Sequence, residues 1–345
     1  MTDLKSKTPE QLREWASKCG YPKFRADQIF AWMHRGVRNF EEMTDLPKSM
    51  IAGLKETAQI SFVNVEKKFV SRLDGTVKYL YRLNDGNFIE SVVMNYHHGY
   101  TICVSSQVGC RMGCTFCQST RGGKIRDLAP AEILDQILYA SHDMGITISN
   151  IVMMGIGEPL DNFENVNQFL RIVNHPKGIC IGYRHISVST CGLTEGIAHL
   201  AEQNYPITLS VSLHAPFDEL RSKMMPINKK YSIAGLLEAC WAYQKVTGRR
   251  ISFEYTLVEG VNDSAECANE LVRLLHGKLC HINLIPVNKI KDGKYSPSDK
   301  KAVLAFQNIL TQKGLNATVR RTLGADISAS CGQLRSKRME KEETL

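Results

Sequence analysis

Cys110, Cys114 and Cys117 lie in the run Gly109-Cys110-Arg111-Met112-Gly113-Cys114-Thr115-Phe116-Cys117, a CxxxCxxC spacing. Three thiolates this close together can each take one iron of a cubane 4Fe-4S cluster and leave the fourth iron without a protein ligand. An open iron can hold a substrate. The same residues also suit a zinc knuckle, with Cys114 and Cys117 as a CxxC pair completed by two ligands elsewhere in the chain. The third cysteine upstream and Phe116 before the last thiol favour the cluster.

Later in the chain stands Gly155-Ile156-Gly157-Glu158-Pro159. Glycines there let backbone amides and carbonyls approach a ligand, and Glu158 can accept a hydrogen bond from an ammonium group. Taken alone, the run reads equally well as a strand-end turn. Ser189, Ser212, His214 and Asn288 are polar groups expected at strand ends, where they can bond a ligand's hydroxyls, carboxylate or base. Each also suits a cap or a satisfied buried group. Cys103 precedes the cluster run on its own strand, and Cys331 lies in Gly324 to Leu334, where small residues and Gly332 suggest a flexible loop able to enter an active site. The cysteines Cys19, Cys180, Cys191, Cys240, Cys267 and Cys280 read as packing thiols. Glu90, in Ile89-Glu90-Ser91-Val92, is an acid amid apolar residues, in keeping with either a perturbed base or a strand-edge charge.

These groups need a scaffold. Thr8-Pro9-Glu10-Gln11 is a capping box with proline at the first helical position. A second amphipathic run from Arg25 to Val37 points Ile29, Phe30, Trp32 and Met33 at a core, and Leu46-Pro47 opens a third, short helix. Residues 1–60 therefore read as a small helical accessory domain carrying Lys18, Lys23, Arg25, Arg35 and Arg38, suited to gripping RNA or to capping the core. Residues 61–100 read as a β-hairpin extension, with strands at Thr76 to Leu83 and Phe88 to Met94 about the turn Asn84-Asp85-Gly86-Asn87. In 101–334 apolar strands alternate with helix-length segments, the mark of a parallel α/β domain. The strands expected are Thr101 to Ser105, Asn150 to Met154, His185 to Ser189, Ile207 to Leu213, Ile251 to Leu257 and His281 to Ile285, with an edge strand at Ala317 to Arg320. Six such units suit an open partial (βα)6 barrel, with function at the C-terminal ends of its strands. Residues 335–345 read as a charged, mobile tail.

With 345 residues and 43% hydrophobic content, the chain can bury a large core. No apolar stretch matches a membrane span and the start is polar, so a cytoplasmic protein is expected. Eleven cysteines, an odd number, fit a reducing compartment better than a disulfide scaffold. The net charge of +8 agrees with a polyanionic partner. Arg111, Arg121, Lys124 and Arg126 crowd the cysteine loop as if to meet phosphate, although a merely solvated basic surface fits the charge as well.

The cysteine run followed by the Gly-Glu-Pro element resembles the radical S-adenosylmethionine (SAM) enzymes. The resemblance implies one 4Fe-4S cluster on Cys110, Cys114 and Cys117, and SAM chelated at the open iron and cleaved to a 5'-deoxyadenosyl radical. Among these enzymes the chain resembles the bacterial dual-specificity RNA methyltransferases, which methylate carbon 2 of an adenine in 23S ribosomal RNA and in some transfer RNAs. The likeness spans Pro9 to Leu334 and rests on Cys103 to Cys110, Met153 to Leu160, Ser210 to Ala215, His281 to Asn288 and Ala329 to Leu334. Ser330 departs from it, standing where alanine is expected.

By this resemblance Gly157, Glu158, Ser189, Ser212, Leu213, His214 and Asn288 bind SAM, of which two are used per turnover. Carbon 2 of adenine is an electron-poor amidine carbon, so it cannot attack a methyl group as a nucleophile would. The resemblance makes Cys331 the carrier that is first methylated and then, as a carbon radical, adds to the base. Glu90 matches the acceptor of the base's original proton. Cys103 forms a transient disulfide with Cys331 that releases the product, and a flavodoxin- or ferredoxin-type donor supplies electrons. A monomer is expected. The nearest rival is the sister enzyme that methylates carbon 8 of the ribosomal adenine and confers antibiotic resistance. A rival of another kind is a zinc-containing RNA-binding protein without catalysis.

Overall fold

The computed structural model describes residues 1–288 and 294–334. The charged tail expected at 335–345 lies outside the described residues. Strand β1 (Thr2–Asp3) leads into helix α1 (Pro9–Lys18), which begins as its capping box dictates, the Thr8 hydroxyl accepting from Gln11 N and the Gln11 side chain from Thr8 N. Helix α2 (Lys23–His34) ends earlier than its apolar pattern, because Gly36 takes φ +85° and turns the chain. Helix α3 (Lys48–Thr57) follows, and strand β2 (Ala58–Gln59) returns to pair with β1.

The helical segment is not a detached appendage. Leu12, Ala16, Ile29, Phe30, Met33 and Leu54 share one apolar core with the large sheet. Lys5 Nζ donates to Asp135 Oδ1 at 2.7 Å in a buried ion pair, and Arg38 packs over the rings of Phe62 and Tyr139. His34 sits at the same seam, its Nδ1 accepting from Ile179 N at 3.1 Å while its Nε2 is buried without a hydrogen-bond partner. Burial, reinforced by Lys5 and His175, lowers His34 from 6.5 to about 3. The unfolded chain therefore binds this proton first, and stability falls as pH drops through that window, with a limiting slope of about 1.4 kcal/mol per pH unit. Urea unfolding at pH 7 and pH 5 should show a smaller acid loss for His34→Gln than for the unmodified chain. Equal losses would contradict this account.

Strands β3 (Asn64–Val70), β4 (Val77–Arg82) and β5 (Phe88–Tyr96) form an antiparallel meander that continues into β6 (Gly99–Cys103). A short ribbon, β7 (Gln107–Gly109) with β8 (Lys124–Asp127), brackets the cysteine loop. There follow α4 (Pro130–Met144), β9 (Ile148–Met153), α5 (Phe163–Val173), β10 (Ile186–Thr190), α6 (Thr194–Glu202), β11 (Thr208–Ser212), α7 (Asp218–Met224) and α8 (Ile233–Thr247). The chain closes with β12 (Ile251–Leu257), α9 (Ala265–Leu275), β13 (Cys280–Pro286), α10 (Lys300–Gln312) and β14 (Ala317–Val319).

One ten-stranded sheet runs β14-β13-β12-β11-β10-β9-β6-β5-β4-β3, parallel from β14 to β6 and antiparallel beyond. The expected strands of the partial barrel are all present, and the hairpin extends the same sheet. Strand alternation sorts the side chains. Ile102, Ile151, Val188, Leu209, Val211, Phe253, Tyr255, Ile282 and Leu284 are buried in the core. Ser187, Ser210, Ser252, Glu254 and Asn283 line the hollow of the curved sheet. Small and polar inward residues leave room for ligands. Among the described residues no helix is long and apolar enough to cross a membrane.

Candidate active site

The β7–β8 ribbon presents the cysteine loop, and Gly109 is required at its base, where φ is +73° and a Cβ would overlap the Gly123 carbonyl oxygen. Thr115 N donates to Met224 O at 2.9 Å, and the Thr120 hydroxyl donates to the carbonyls of Cys114 and Cys117. Cys110, Cys114 and Cys117 thereby line one cavity as free thiols. Burial raises all three, Cys110 to about 12, so loading a metal must displace their protons. Among the described residues no three His, Cys, Asp or Glu side chains converge as a single ion requires. A cubane asks for one thiolate per iron, spaced around a cavity, and these three fit that demand.

The cavity encloses about 920 Å³ including its open mouth, within the usual range for small-molecule sites. Gly155, Gly157, Glu158, Ser189, Ser212, His214, Asn288 and Cys331 all line it. The two glycines are needed for packing: a Cβ on Gly155 would stand 2.6 Å from Val104 O, and one on Gly157, at φ +109°, 2.8 Å from Gln107 N. Glu158 Oε1 accepts from Leu160 N at 3.0 Å and Oε2 from Cys191 N at 2.7 Å. Its carboxyl, raised by burial, thus ties two strand-end loops together, with the Cys191 and Thr190 side chains also bonded to it. His214 Nδ1 accepts from Thr256 N at 2.9 Å, which leaves the ring proton on Nε2, and burial lowers the ring to about 3. It is a neutral donor. Leu213, between Ser212 and His214, has its side chain fully buried in the core and its carbonyl bonded by Arg221 Nε at 3.1 Å.

Cys331 also borders a second chamber, shared with Cys103, Val92, Met94, Tyr96 and Arg320. Burial pushes the Cys103 thiol up to about 12, and Cys331 lies near enough to add to that shift. The loop of Cys331 is held rather than loose. Asn288 Nδ2 donates to Cys331 O at 3.1 Å, Gln118 N to Gly332 O at 2.8 Å, and Ser119 Oγ to Leu334 O at 2.9 Å. Ser330 Oγ donates to Leu323 O at 2.9 Å, so the departure from alanine adds a hydrogen bond. Glu90 lies on β5, two residues from Val92 on the same face, buried in an ion pair with Lys78 Nζ at 3.3 Å.

Residues 104–273 match the Radical SAM superfamily, and residues 2–60 match the ribosomal RNA large subunit methyltransferase N-terminal domain. A probable dual-specificity RNA methyltransferase RlmN from Lachnospira eligens is 50% identical over 341 residues, spanning 99% of this chain and 97% of its own length. Another, from Clostridium botulinum strain Alaska E43, is 50% identical over 344 residues, spanning 100% of this chain and 99% of its own. This chain belongs to the RlmN family. A radical SAM methyltransferase from Sphaerobacter thermophilus, known from its crystal structure, is 42% identical and superposes with a TM-score of 0.93, covering 98% of this chain and 100% of that one. RlmN membership makes the protein a radical SAM enzyme, which sets aside the zinc protein without catalysis.

Residues that sequence reasoning passed over complete this RlmN family site. Fully buried Arg221 donates to the carbonyls of Leu213, Ser212 and Cys191 and to Asn228 Oδ1, pinning the strand ends that face the cluster loop. Arg320 lines both chambers, its guanidinium pushed further up by Cys331 first and then, against burial, by Glu254. Cys191, read as packing, stands in the cavity wall. The visible signal for Glu254 was a lone acid between Ser252 and Thr256 on the polar face of its strand; Arg221 and Arg320 carried none. The basic residues near the cysteine loop are less available to phosphate than their charge suggested. Arg111 pairs with Asp161, Lys124 with Asp127 and Asp161, and Arg126 with Asp85 and Glu132.

Proposed function

We infer that the protein methylates carbon 2 of an adenine in 23S ribosomal RNA and in transfer RNA, with Cys331 as the methyl carrier. The observation that carries this reading is the position of Cys331, which borders both the cavity of the cysteine trio and the chamber of Cys103. Cys110, Cys114 and Cys117 hold the cluster, while Gly157, Glu158, Ser189, Ser212, His214 and Asn288 face SAM, with Leu213 fixing the strand end between Ser212 and His214 through its bonds to Arg221 and Glu254. Bound there, cluster and cosubstrate supply a methyl group and a carbon-centred radical. Cys331 takes the methyl on its sulfur and, once a hydrogen atom has been removed from it, delivers the carbon to the base. The target adenine must leave its stack to reach this site. Glu90 takes the proton displaced from the adenine carbon. The adduct's unpaired electron passes to the one-electron redox partner, Cys103 bonds as a thiolate to the Cys331 sulfur as the carbon–sulfur bond breaks, the released carbon takes a proton, and two-electron reduction of the disulfide restores both thiols. The enzyme acts as a cytoplasmic monomer, with a flavodoxin- or ferredoxin-type protein as electron donor, and residues 1–60 serve as an RNA-gripping domain.

The test is anaerobic reaction with SAM bearing a trideuterated methyl group, followed by digestion of the RNA and mass spectrometry. The expected product is 2-methyladenosine with one of the three deuterium atoms lost. An intact trideuterated methyl would remove the carrier role, and 8-methyladenosine would move the chain to the sister activity.

A further inference from the structure

The hairpin formed by β3 and β4 is bonded to the loop of Cys331, which lies far from it in sequence. Ser71 Oγ donates to Asp326 Oδ1 at 2.6 Å, Arg72 N to Asp326 Oδ2 at 2.9 Å, and Gly324 N to Asp74 Oδ2 at 2.8 Å. Deeper in the same hairpin, Lys78 Nζ donates to Ser328 O at 3.2 Å and pairs with Glu90 Oε1 at 3.3 Å. The side chains of Lys78 and Glu90 are only 2% and 4% exposed, and the ring of Phe69 lies 5.0 Å beneath the ammonium. Ser328 holds φ +49°, a left-handed conformation uncommon for serine, which its bonded surroundings sustain.

We propose that Lys78 is a positioning residue that couples Glu90 to the methyl-carrying loop. Resting on the reading of Glu90 as proton acceptor, this assigns Lys78 two tasks. Register makes the pair possible: Lys78 stands opposite Val92 and Leu80 opposite Glu90, so Lys78 and Glu90 are diagonal neighbours on one face of the sheet. Val92 in turn stands opposite Cys103, which puts the pair beside the chamber where the two cysteines meet. The ammonium, 3.3 Å from Glu90 Oε1, fixes where the carboxylate stands beside that chamber. Its second N–H fixes the carbonyl of Ser328, three residues before Cys331, so the base and the carrier sulfur share one strut. Burying such a pair is costly, and stability alone is weak reason for it.

The step that reads this coupling is resolution of the adduct between RNA and Cys331, followed in a single anaerobic turnover on denaturing gels. Glu90→Gln should leave the adduct in place. Lys78→Met should slow its resolution by about tenfold to a hundredfold, a fraction of what a general base contributes, with RNA affinity unchanged. Lys78→Arg should recover most of the rate, and the double variant Lys78→Met, Glu90→Gln should keep its adduct as Glu90→Gln alone does. That double variant removes both charges together and so keeps the fold even where Lys78→Met alone strains it. Resolution at the unmodified rate in Lys78→Met, or a rate in Lys78→Arg as slow as in Lys78→Met, would overturn the coupling. Unmodified resolution in Glu90→Gln would defeat the reading of Glu90 itself, and the single variant shows which of the two has failed.

Discussion

Cys331→Ala is expected to yield no methylated RNA, a loss of at least about a thousandfold, because in the proposed reaction the thiol forms and breaks covalent bonds and no neighbour can replace it. Cys103 cannot substitute, since it sits on the sheet at the end of β6, away from the cavity of the cysteine trio that Cys331 borders. The fold should persist. The loop is anchored through the Cys331 carbonyl to Asn288 and through Gly332 and Leu334 to the cluster loop, contacts that alanine keeps. The side chain is only partly buried, so the cost in stability should stay within about 1 kcal/mol. Mass spectrometry of digested RNA, run beside thermal unfolding and iron analysis, separates a lost carrier from a lost fold. Normal methylation by this variant would end the carrier reading.

Cys114→Ala should fail earlier in the sequence of events. With the trio as the proposed cluster ligands, removing one thiolate of three would leave an iron without its protein ligand, and the protein should emerge from anaerobic reconstitution with little iron or sulfide and form no 5'-deoxyadenosine. Loop geometry is not at stake. The Cys114 carbonyl still accepts from Cys117 N at 3.1 Å and from the Thr120 hydroxyl at 3.3 Å, bonds that the side chain does not make. The two variants therefore differ in kind: Cys331→Ala should keep the full iron and sulfide content, whereas Cys114→Ala should lose it. A Cys114→Ala protein with the full complement of iron would show that the trio does not hold the cluster.

The hairpin changes how the site is understood. Expected as an extension that carries Glu90, β3 to β5 also bury Lys78 beside it and clasp the loop of Cys331. The basic residues near the cysteine loop teach the opposite lesson. A count of charges saw an attraction for phosphate, while the fold pairs Arg111, Lys124 and Arg126 with carboxylates contributed partly by distant segments.

What the chain determined without its fold was whatever depends on near neighbours. The CxxxCxxC spacing sets which thiols share a loop, the Thr8 capping box starts a helix, and strand alternation from β6 to β13 turns small and polar residues inward beneath an apolar outer face. Such features are local, because backbone geometry carries them over a few residues. Tertiary structure decided which distant residues meet. Glu90, Lys78 and Cys103 reach the loop of Cys331 only because β4, β5 and β6 pair in one register, and a slip by a single residue would turn all three to the opposite face. That register is held by burial across the whole sheet, a sum over long-range contacts that no short stretch of sequence contains.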